Sequence, residues 1–559
     1  EIALRVNTTG ANNTAIGRSA LTANTTGSNN TAYGLEALKT NISGAGNTAV
    51  GRDALEANTA SNNVAVGFCA MLSNSSGTSN TAVGTKALKF STTSSDNTAV
   101  GYQVMDSNTE GCCNTAVGAD ALGTNSTGNC NTAVGKNALL ANTSASDNTA
   151  IGKSALGANT TGTRNTAVGK DSSDANTEGN DNTAVGRTSL SSNTTGDNHV
   201  AVGVGALQSN TTANDNTAVG YTALISNTTG AVNAAFGGYA LKDNTTGTQN
   251  TAVGISSLEN NSTAAGNTAM GYRALYLNTT GEHNTAVGCN ALKANTTAGS
   301  NTAVGKDSLC VNQTGNFLVA VGQSALRNST GSCNAAVGSD ALFENGSGSR
   351  NTAFGHNALN KTTTGECNHA SGVFAGCANT TGFRNTYVGY GAGQNATTPE
   401  GNTFVGRLAG CNAGTGNSNT AIGISSGIDA VKNITGTDTH QLVLGNNGTT
   451  NAYIKVSLTV TSDLRDKTEI EDVKHGLDFV SKLNPIKYRF KESRENPIGA
   501  GMKKYGFSAQ EILELEGDNN VIIDNHDPEN LKLTELHLLP VLVNAIKELT
   551  KKVKDLEDK

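Results

Sequence analysis

A serine and a lysine stand five residues apart near the end of the chain, in the stretch LTVTSDLRDKTEI at residues 458–470. A serine hydroxyl becomes a nucleophile when a base removes its proton, and a neutral lysine amine can act as that base. Burial lowers the pKa of a lysine, so a folded environment could supply the neutral form. Ser462 and Lys467 have the side-chain types that such chemistry requires. The alternative is a helix start, with Ser462 as the N-cap and Lys467 in solvent.

The candidate pair lies where the composition of the chain changes. A repetitive region rich in NTAVG and NTTG precedes it, whereas charged residues are dense from residue 462 onward. We predict three parts: a repetitive shaft at residues 1–430, a β-rich connector at 431–461 and a C-terminal domain at 462–559. In the connector, Tyr453 to Val460 alternate polar and apolar residues, which predicts a half-buried strand.

The repeat has the consensus NTAVGxxALxxNTTGxx, a unit of seventeen positions. Its closing glycine recurs 25 times, from Gly17 to Gly423, and only the intervals that end at Gly67 and Gly338 are one position shorter. A unit of this size buries little alone and must stack on its neighbours. NTAV is typical of a short strand, NTTG of a turn, and xxALxxN of a second strand or one helical turn. The fold class is therefore mainly β, with a 17-residue-repeat β-solenoid or β-roll shaft.

The Ala–Val pair places an apolar residue on both faces of the short strand. Alanine fits the interior of a coil, so valine needs another cover, which is either the AL segment or a second chain. The asparagine that opens NTAVG is expected to stack as an amide ladder. The repeats resemble, in style only, the 14-residue coils of trimeric autotransporter adhesin heads, and this resemblance implies a trimeric β-roll.

Composition disfavours several classes of function. Net charge is −7 without a basic block, which gives no support for nucleic-acid binding, and no apolar run is long enough to span a membrane. We find no metal-ligand spacing and no cofactor motif, so no metal and no cofactor are expected. No signal peptide is visible, and because the chain begins with Glu1, attachment to other proteins is assigned to a missing or unrecognised N-terminal segment.

Two further features of the repeats leave alternatives open. Cys113 and Cys130 precede the repeat asparagine in adjacent units, so they are either a disulfide or two stacked free thiols. Many asparagines, such as Asn7, Asn12 and Asn24, lie in N-x-Ser/Thr sequons, which are either turn and ladder residues or glycosylation sites.

The C-terminal region has the mixed pattern of an α+β domain. Ile470, Val473, Leu477, Val480 and Leu483 predict a helix, IKYRF a strand, YGFSAQEILELEG a strand or turn followed by a helix, and VIID a strand. The last segment, about 536–559, predicts a coiled coil whose seam is Leu539, Leu542, Ile546, Leu549, Val553 and Leu556. The alternative is a single amphipathic helix packed on its own domain. Pro540 is expected in the first turn of this last helix or at a kink.

Four motifs in this region occur together: SDLRDK at 462–467, LNPIKYRF at 483–490, YGFSAQE at 505–511 and LLPVLVNAIKEL at 538–549. They resemble the peptidase S74 domain, the intramolecular chaperone of phage tail fibres, tail spikes and endosialidases. The resemblance implies a homotrimer whose C-terminal domain directs folding and then removes itself. It implies a catalytic dyad of Ser462 and Lys467, with Asp463 and Arg465 in positioning roles. Cleavage would fall beside Ser462, at either Thr461–Ser462 or Ser462–Asp463.

These observations favour a viral, phage-type tail fibre or spike that binds a glycan or protein receptor on a host. It would be located in the virion and extracellular when mature, and its one enzymatic act would be cutting itself. Two alternatives are a polysaccharide-degrading tail spike and a cellular adhesin or ice-binding rod with the same assembly domain. An assembly domain would be needed to set the register between chains. Because the coils are nearly identical, three chains could otherwise pair one coil out of step at little cost.

Overall fold

The structure is a computed structural model that describes residues 2–429, 432–449, 452–455, 462–491, 498–517, 520–526, 528–529 and 531–559. Contacts divide the chain into two compact units, Glu1–Cys367 and Asn368–Lys559. Thr461 and most of the predicted strand at 453–460 lie outside the described residues.

The first unit is a parallel β-solenoid with one three-residue strand in each coil. Each strand pairs in register with the strand one repeat later, as in Thr14↔Thr31, and the two shorter steps fall at Thr48↔Val64 and Val319↔Ala335. The predicted period and its two short intervals are thus confirmed. Strands β1 to β21 are, in order, Thr14–Ile16, Thr31–Tyr33, Thr48–Val50, Val64–Val66, Thr81–Val83, Thr98–Val100, Thr115–Val117, Thr132–Val134, Thr149–Ile151, Thr166–Val168, Thr183–Val185, Val200–Val202, Thr217–Val219, Ala234–Phe236, Thr251–Val253, Thr268–Met270, Thr285–Val287, Thr302–Val304, Val319–Val321, Ala335–Val337 and Thr352–Phe354.

The core of this unit is narrow and consists mainly of small residues. In the coil that begins at β7, the strand residue Ala116 and the turn residues Ala121 and Leu122 are fully buried. The same positions are buried in coil after coil, so each one forms a column of similar side chains. A core built from alanine and leucine explains why a shaft of this length needs few aromatic residues.

Two ladders of asparagine side chains make hydrogen bonds to the backbone carbonyl and N–H groups beside the core. Asn30 and Asn41 both donate a side-chain N–H to the carbonyl of Gly44, at 2.8 and 2.9 Å. Asn47 then donates its backbone N–H to Oδ1 of Asn30 at 2.9 Å. These asparagines are fully buried. Burying an amide is tolerated only when its hydrogen bonds are made, and the ladders make them coil by coil.

The xxALxx segment is neither a strand nor a helical turn, which corrects both predictions for it. It is a run of turns in which Leu38 has φ 50° and Glu36 has φ 60°. The Leu38 N–H donates to the carbonyl of Ala54 in the next coil at 3.1 Å, and its side chain is fully buried. Burial and hydrogen bonding together hold leucine in a left-handed conformation that is unfavourable in isolation.

The third residue of each strand lies outside the core. Val117 and Val304 are 38% and 36% exposed, and Tyr33 is 56% exposed. The AL segment does not cover this column, since it packs inside the coil with the strand alanines. The sequence pattern predicted that either the AL segment or a second chain covers the valine column. The prediction that the AL segment covers it is therefore wrong.

The second unit continues the repeat with five strands, β22 to β26: His369–Ser371, Thr386–Val388, Thr403–Val405, Thr420–Ile422 and Leu442–Leu444. Each pairs in parallel with the next. Strand β26 was not predicted from the sequence. The coil before it is longer than the others, and Leu-Val replaces the usual Thr-Ala, so the repeat is hard to see. In the structure, Thr420 pairs with Leu442. Tyr387 and Phe404 replace the central alanine in two coils and are fully buried.

The rest of the second unit is a small α+β region. It contains a 3₁₀ turn at Leu464–Asp466, helix α1 at Leu477–Lys482, strands β27 at Ile486–Lys491 and β28 at Gly499–Gly506, and helix α2 at Ala509–Glu516. Strands β29 at Ile523–Asp524 and β30 at Lys532–Leu533, a 3₁₀ turn at Glu535–His537 and helix α3 at Leu538–Glu557 complete it. β27 and β28 are antiparallel, as are β29 and β30. No helix in the described ranges has the length and apolar content required to cross a bilayer.

Most elements predicted for this region are present, but the first helix is shorter than predicted. It begins at Leu477 rather than near Ile470. Ile470 and Val473 precede it and are 66% and 44% exposed. Pro540 lies in the first turn of α3, which was one of the two positions predicted for it; the other was a kink.

Candidate functional site

The stretch SDLRDK forms one tight 3₁₀ turn. Asp463 is its N-cap and accepts the backbone N–H of Arg465 at 2.9 Å. The Arg465 guanidinium also donates to both carboxylate oxygens of Asp463, and this pairing lowers the pKa of that carboxyl below its ordinary value. The turn ends where the Lys467 N–H donates to the carbonyl of Leu464 at 3.2 Å. The N-cap alternative for Ser462 is therefore wrong, since Asp463 holds that position.

The turn brings Ser462 and Lys467 together. The Lys467 Nζ lies 2.8 Å from the Ser462 Oγ, within hydrogen-bond distance. Five residues along an extended strand would hold these groups far apart, so their contact depends on the turn that Asp463 and Arg465 close. Both residues are exposed in the single chain.

A serine and a lysine at this distance have the geometry of a nucleophile and its base. The amine must be neutral to accept the hydroxyl proton, and water around an exposed ammonium favours the charged form. The pair in the single chain therefore lacks the dry surroundings that such chemistry needs.

A compact core supports the elements that follow the turn. Phe479, Ile512, Ile522, Ile523, Leu538 and Val541 form one buried apolar cluster. The buried Glu516 ends α2 and accepts the backbone N–H groups of Val521, Ile522 and Ile523, at 2.9, 2.7 and 2.9 Å. One carboxylate thus fixes the chain between α2 and β29.

Helix α3 fastens the segment that leads from the turn into the core. Asn544 donates to the carbonyls of Val473 and His475, at 3.2 and 3.0 Å, and Glu548 accepts the backbone N–H of Leu477 at 2.8 Å. Sequence reasoning did not identify Asn544, Glu548 or Glu516 as positioning residues. The pattern carries no signal for them, because their partners are backbone groups that no local spacing reveals.

The predicted seam of α3 faces solvent. Helix α3 packs on its own unit through Leu538, Val541 and Ala545, which are buried. The six seam residues are exposed in the single chain, from 39% at Leu542 to 71% at Leu556; we call them the α3 stripe (Leu539, Leu542, Ile546, Leu549, Val553 and Leu556). The buried and the exposed apolar residues of helix α3 thus form adjoining rows, and the exposed row has no cover in the single chain.

Cys113 and Cys130 lie on adjacent coils, and both are exposed free thiols in the structure. The neighbouring Cys112 raises the pKa of Cys113, and burial raises the pKa of Cys130. The disulfide remains a prediction.

Some of the asparagines in N-x-Ser/Thr sequons are buried, and others are exposed. Asn24 is fully buried in a ladder, whereas Asn12 is exposed. An asparagine at the ladder positions would be inaccessible to glycosylation in the folded shaft.

Within the described residues, one group of three acids lies close enough to share a cation: Glu36, Asp53 and Glu56. Lys39 lies 3.1 Å from Glu36 and 3.5 Å from Glu56, and Arg52 lies 3.1 Å from Asp53. Ion pairs with these cations account for the cluster, so it offers no support for glycoside hydrolysis.

Comparison with known families agrees with the motifs of the C-terminal region. A family model described as Peptidase_S74, chaperone of endosialidase, matches residues 462–522. No curated protein matches the chain. A β-solenoid followed by this domain fits a protein of the tail-fibre or tail-spike type with a C-terminal assembly domain. The segment that begins at Ser462 and contains the turn, α1, α2 and the β27–β28 hairpin is thus similar to the chaperone of endosialidase that this family model describes.

Proposed function

We propose that this chain is a phage-type tail fibre or spike whose solenoid attaches to a host surface and whose C-terminal domain assembles it as a homotrimer and then cuts itself off. The shaft would reach residue 430, a connector would span 431–461, and the assembly domain would be 462–559. The mature protein would belong to the virion, outside the cell. The observation that carries the proposal is the 2.8 Å contact of Lys467 Nζ with Ser462 Oγ inside the matched domain.

Assembly is supported by the exposed α3 stripe. Its six residues follow the alternating spacing of three and four that coiled-coil seams require. Joining these stripes would remove six apolar side chains of each α3 from water, which stabilises by about 25 cal/mol per Å² buried. It would also align identical coils before they can pair out of step.

Self-cleavage would then follow from assembly. Neighbouring chains would shield the turn from water and favour the neutral amine of Lys467. The amine would take the Ser462 hydroxyl proton while Oγ forms a bond to an adjacent peptide carbonyl. The C–N bond would break, the leaving amine would receive the proton, and water would hydrolyse the resulting ester. Both Thr461–Ser462 and Ser462–Asp463 remain candidates for the bond that breaks.

Intact-mass spectrometry of the purified protein tests the proposal. Wild type should give a fragment that starts at 462 or 463 and ends at Lys559, while Ser462→Ala and Lys467→Ala should stay full length. Ser481→Ala and Lys474→Ala are matched controls, since both residues are exposed and lie in the same domain. Full-length wild type, or cleavage in Ser462→Ala, would refute the role of the pair.

A further inference from the structure

The residue that directly follows the repeat glycine forms a column along one side of the first unit. The carbonyl of Lys136 accepts the backbone N–H of Ser154 at 2.9 Å, and that of Lys153 accepts the N–H of Asp171 at 2.9 Å. This ladder keeps the column in register, so its side chains repeat about every 4.8 Å. We call the part from Lys136 to Tyr272, which spans nine successive coils, the outer column.

The first four members of the outer column are all cations: Lys136, Lys153, Lys170 and Arg187. All four are exposed. Among the described residues, Lys170 pairs with Asp171 at 3.3 Å, whereas the other three form no ion pair. Neighbouring cations at this spacing repel each other by about 1 kcal/mol in water, a cost that a bound row of anions would reverse.

Three of the five later members of the column have large side chains, and the other two are Val204 and Gly238. Tyr221, Ile255 and Tyr272 are each about half exposed, at 54%, 57% and 47%. Tyr239 on the intervening coil contacts Tyr221 edge to face, with ring centroids 5.4 Å apart. The Arg273 guanidinium lies 5.1 Å from the ring centroid of Tyr272. Exposed rings held in place by neighbours form a rigid platform for a ligand that has flat apolar faces.

We propose that the outer column binds an acidic polysaccharide laid along the coils, with its anionic groups on the four cations and its sugar rings on the tyrosines. This inference rests on the attachment role in the proposed function and names the class of receptor. A second copy of the chain fits poorly, because equivalent columns would oppose cation to cation. A nucleic acid is less favoured, since only four aligned cations would meet its continuous row of phosphates.

Binding of purified protein to immobilised polymers tests the proposal, with polygalacturonate and dextran sulfate as acidic probes and dextran and single-stranded DNA as comparisons. Wild type should bind the acidic polysaccharides, with an affinity that falls as salt rises. Replacing the four cations by serine should weaken binding at least about tenfold. Replacing Lys86, Lys89, Lys242 and Lys293 by serine removes the same charge elsewhere on the shaft and should change binding less than about twofold. The double variant Tyr221→Ser and Tyr272→Ser should weaken binding while leaving its salt dependence unchanged.

Four results would overturn the proposal: no binding to either acidic probe, equal loss in the two four-cation variants, no effect of the tyrosine variant, or equally tight binding of single-stranded DNA. Self-cleavage measured on the same samples separates the two proposals. Normal self-cleavage in a protein that does not bind the acidic polysaccharides would refute the outer column as a receptor site. It would leave the proposed assembly function unaffected.

Discussion

The ring of Tyr387 occupies the space that a side chain at Gly393 would need. A Cβ atom added to Gly393 meets the Cδ1 and Cε1 atoms of that ring. In most coils these two positions hold alanine and leucine, so a large residue on the strand is matched here by a glycine on the turn. Phe404 and Gly410 repeat the exchange in the next coil, where a Cβ atom added to Gly410 would lie 2.6 Å from the ring. The core volume of a coil is conserved although its residues are not.

The buried hydroxyl of Tyr387 has no hydrogen-bond partner among the described residues. Desolvation raises the pKa of this phenol above its ordinary value. Tyr387→Phe removes an unsatisfied buried polar atom, so we expect the coils around it to gain about 1 kcal/mol of stability. Hydrogen exchange of peptides from 380–410 measures this directly. Tyr390→Phe is the control, because Tyr390 is 50% exposed and should show no gain.

Gly393→Leu should destabilise the same coils by about 1–3 kcal/mol, because the new side chain collides with the Tyr387 ring. Backbone strain at φ 58° adds to this cost, but Leu359 is accommodated at φ 50° at the equivalent position of an earlier coil, so the collision with the ring is what distinguishes Gly393. Adding Tyr387→Ala restores the alanine and leucine pair of the consensus and should recover most of the loss. The exchange account would fail if the double variant were as unstable as Gly393→Leu alone.

His199 takes the place of an asparagine in a ladder. Its Nδ1 accepts the Asn216 N–H at 3.2 Å, and its Nε2 lies 2.7 Å from the carbonyl of Ala213, so the neutral ring imitates an amide. Burial lowers the pKa of His199, and Asp197 and Asp215 oppose that shift more weakly. The unfolded chain therefore binds a proton that the folded shaft does not, in the pH range below the ordinary histidine pKa of about 6.5.

The stability contributed by neutral His199 should be complete above that pH and should decline as pH falls below it. His199→Asn should remove this loss, which is on the order of 1 kcal/mol for each unit of pKa shift. The readout is the difference in Tm between neutral and mildly acidic buffer. His283→Asn is the control, because the His283 side chain is 70% exposed. An equal acid sensitivity in wild type and His199→Asn would contradict the assignment.

The α3 stripe should control both assembly and cleavage. Ile546→Glu places a carboxylate in the middle of the stripe, where Ile546 is 62% exposed in the single chain. Because an assembled seam would bury that charge, we expect light scattering to show loss of the trimer and mass spectrometry to show uncut chain. Lys547→Glu, on the adjacent exposed position, should remain trimeric and cleaved. A trimeric and fully cleaved Ile546→Glu protein would place the assembly surface elsewhere.

The sequence pattern predicted the coil period, the interior alanines and the amphipathic last helix, because each of these repeats at a spacing that one backbone geometry imposes. It failed where tertiary contacts decide. Ile470 and Val473 have helical spacing, yet the carbonyls of Val473 and His475 accept from Asn544, which holds the segment out of a helix. Similarly, Leu38 is left-handed because the next coil captures its N–H, a contact that no local pattern records.

At the candidate site, the sequence motif identified Ser462 and Lys467, and the structure adds their contact and their exposure. The role of Asp463 as the N-cap of the turn was not predicted. Serine and aspartate are both favoured as N-caps, so the sequence alone does not decide between Ser462 and Asp463. The folded turn shows that Asp463 is the cap.

The central claim is that Ser462, with Lys467 as its base, cuts the chain beside itself. The most direct measurement is the accurate mass of the C-terminal fragment from purified wild type, compared with Lys467→Ala prepared in the same way. Wild type should give a fragment that begins at Ser462 or Asp463, and the variant should give none. A wild-type chain that stays whole, a fragment that begins at any other residue, or equal cleavage in the variant would contradict it.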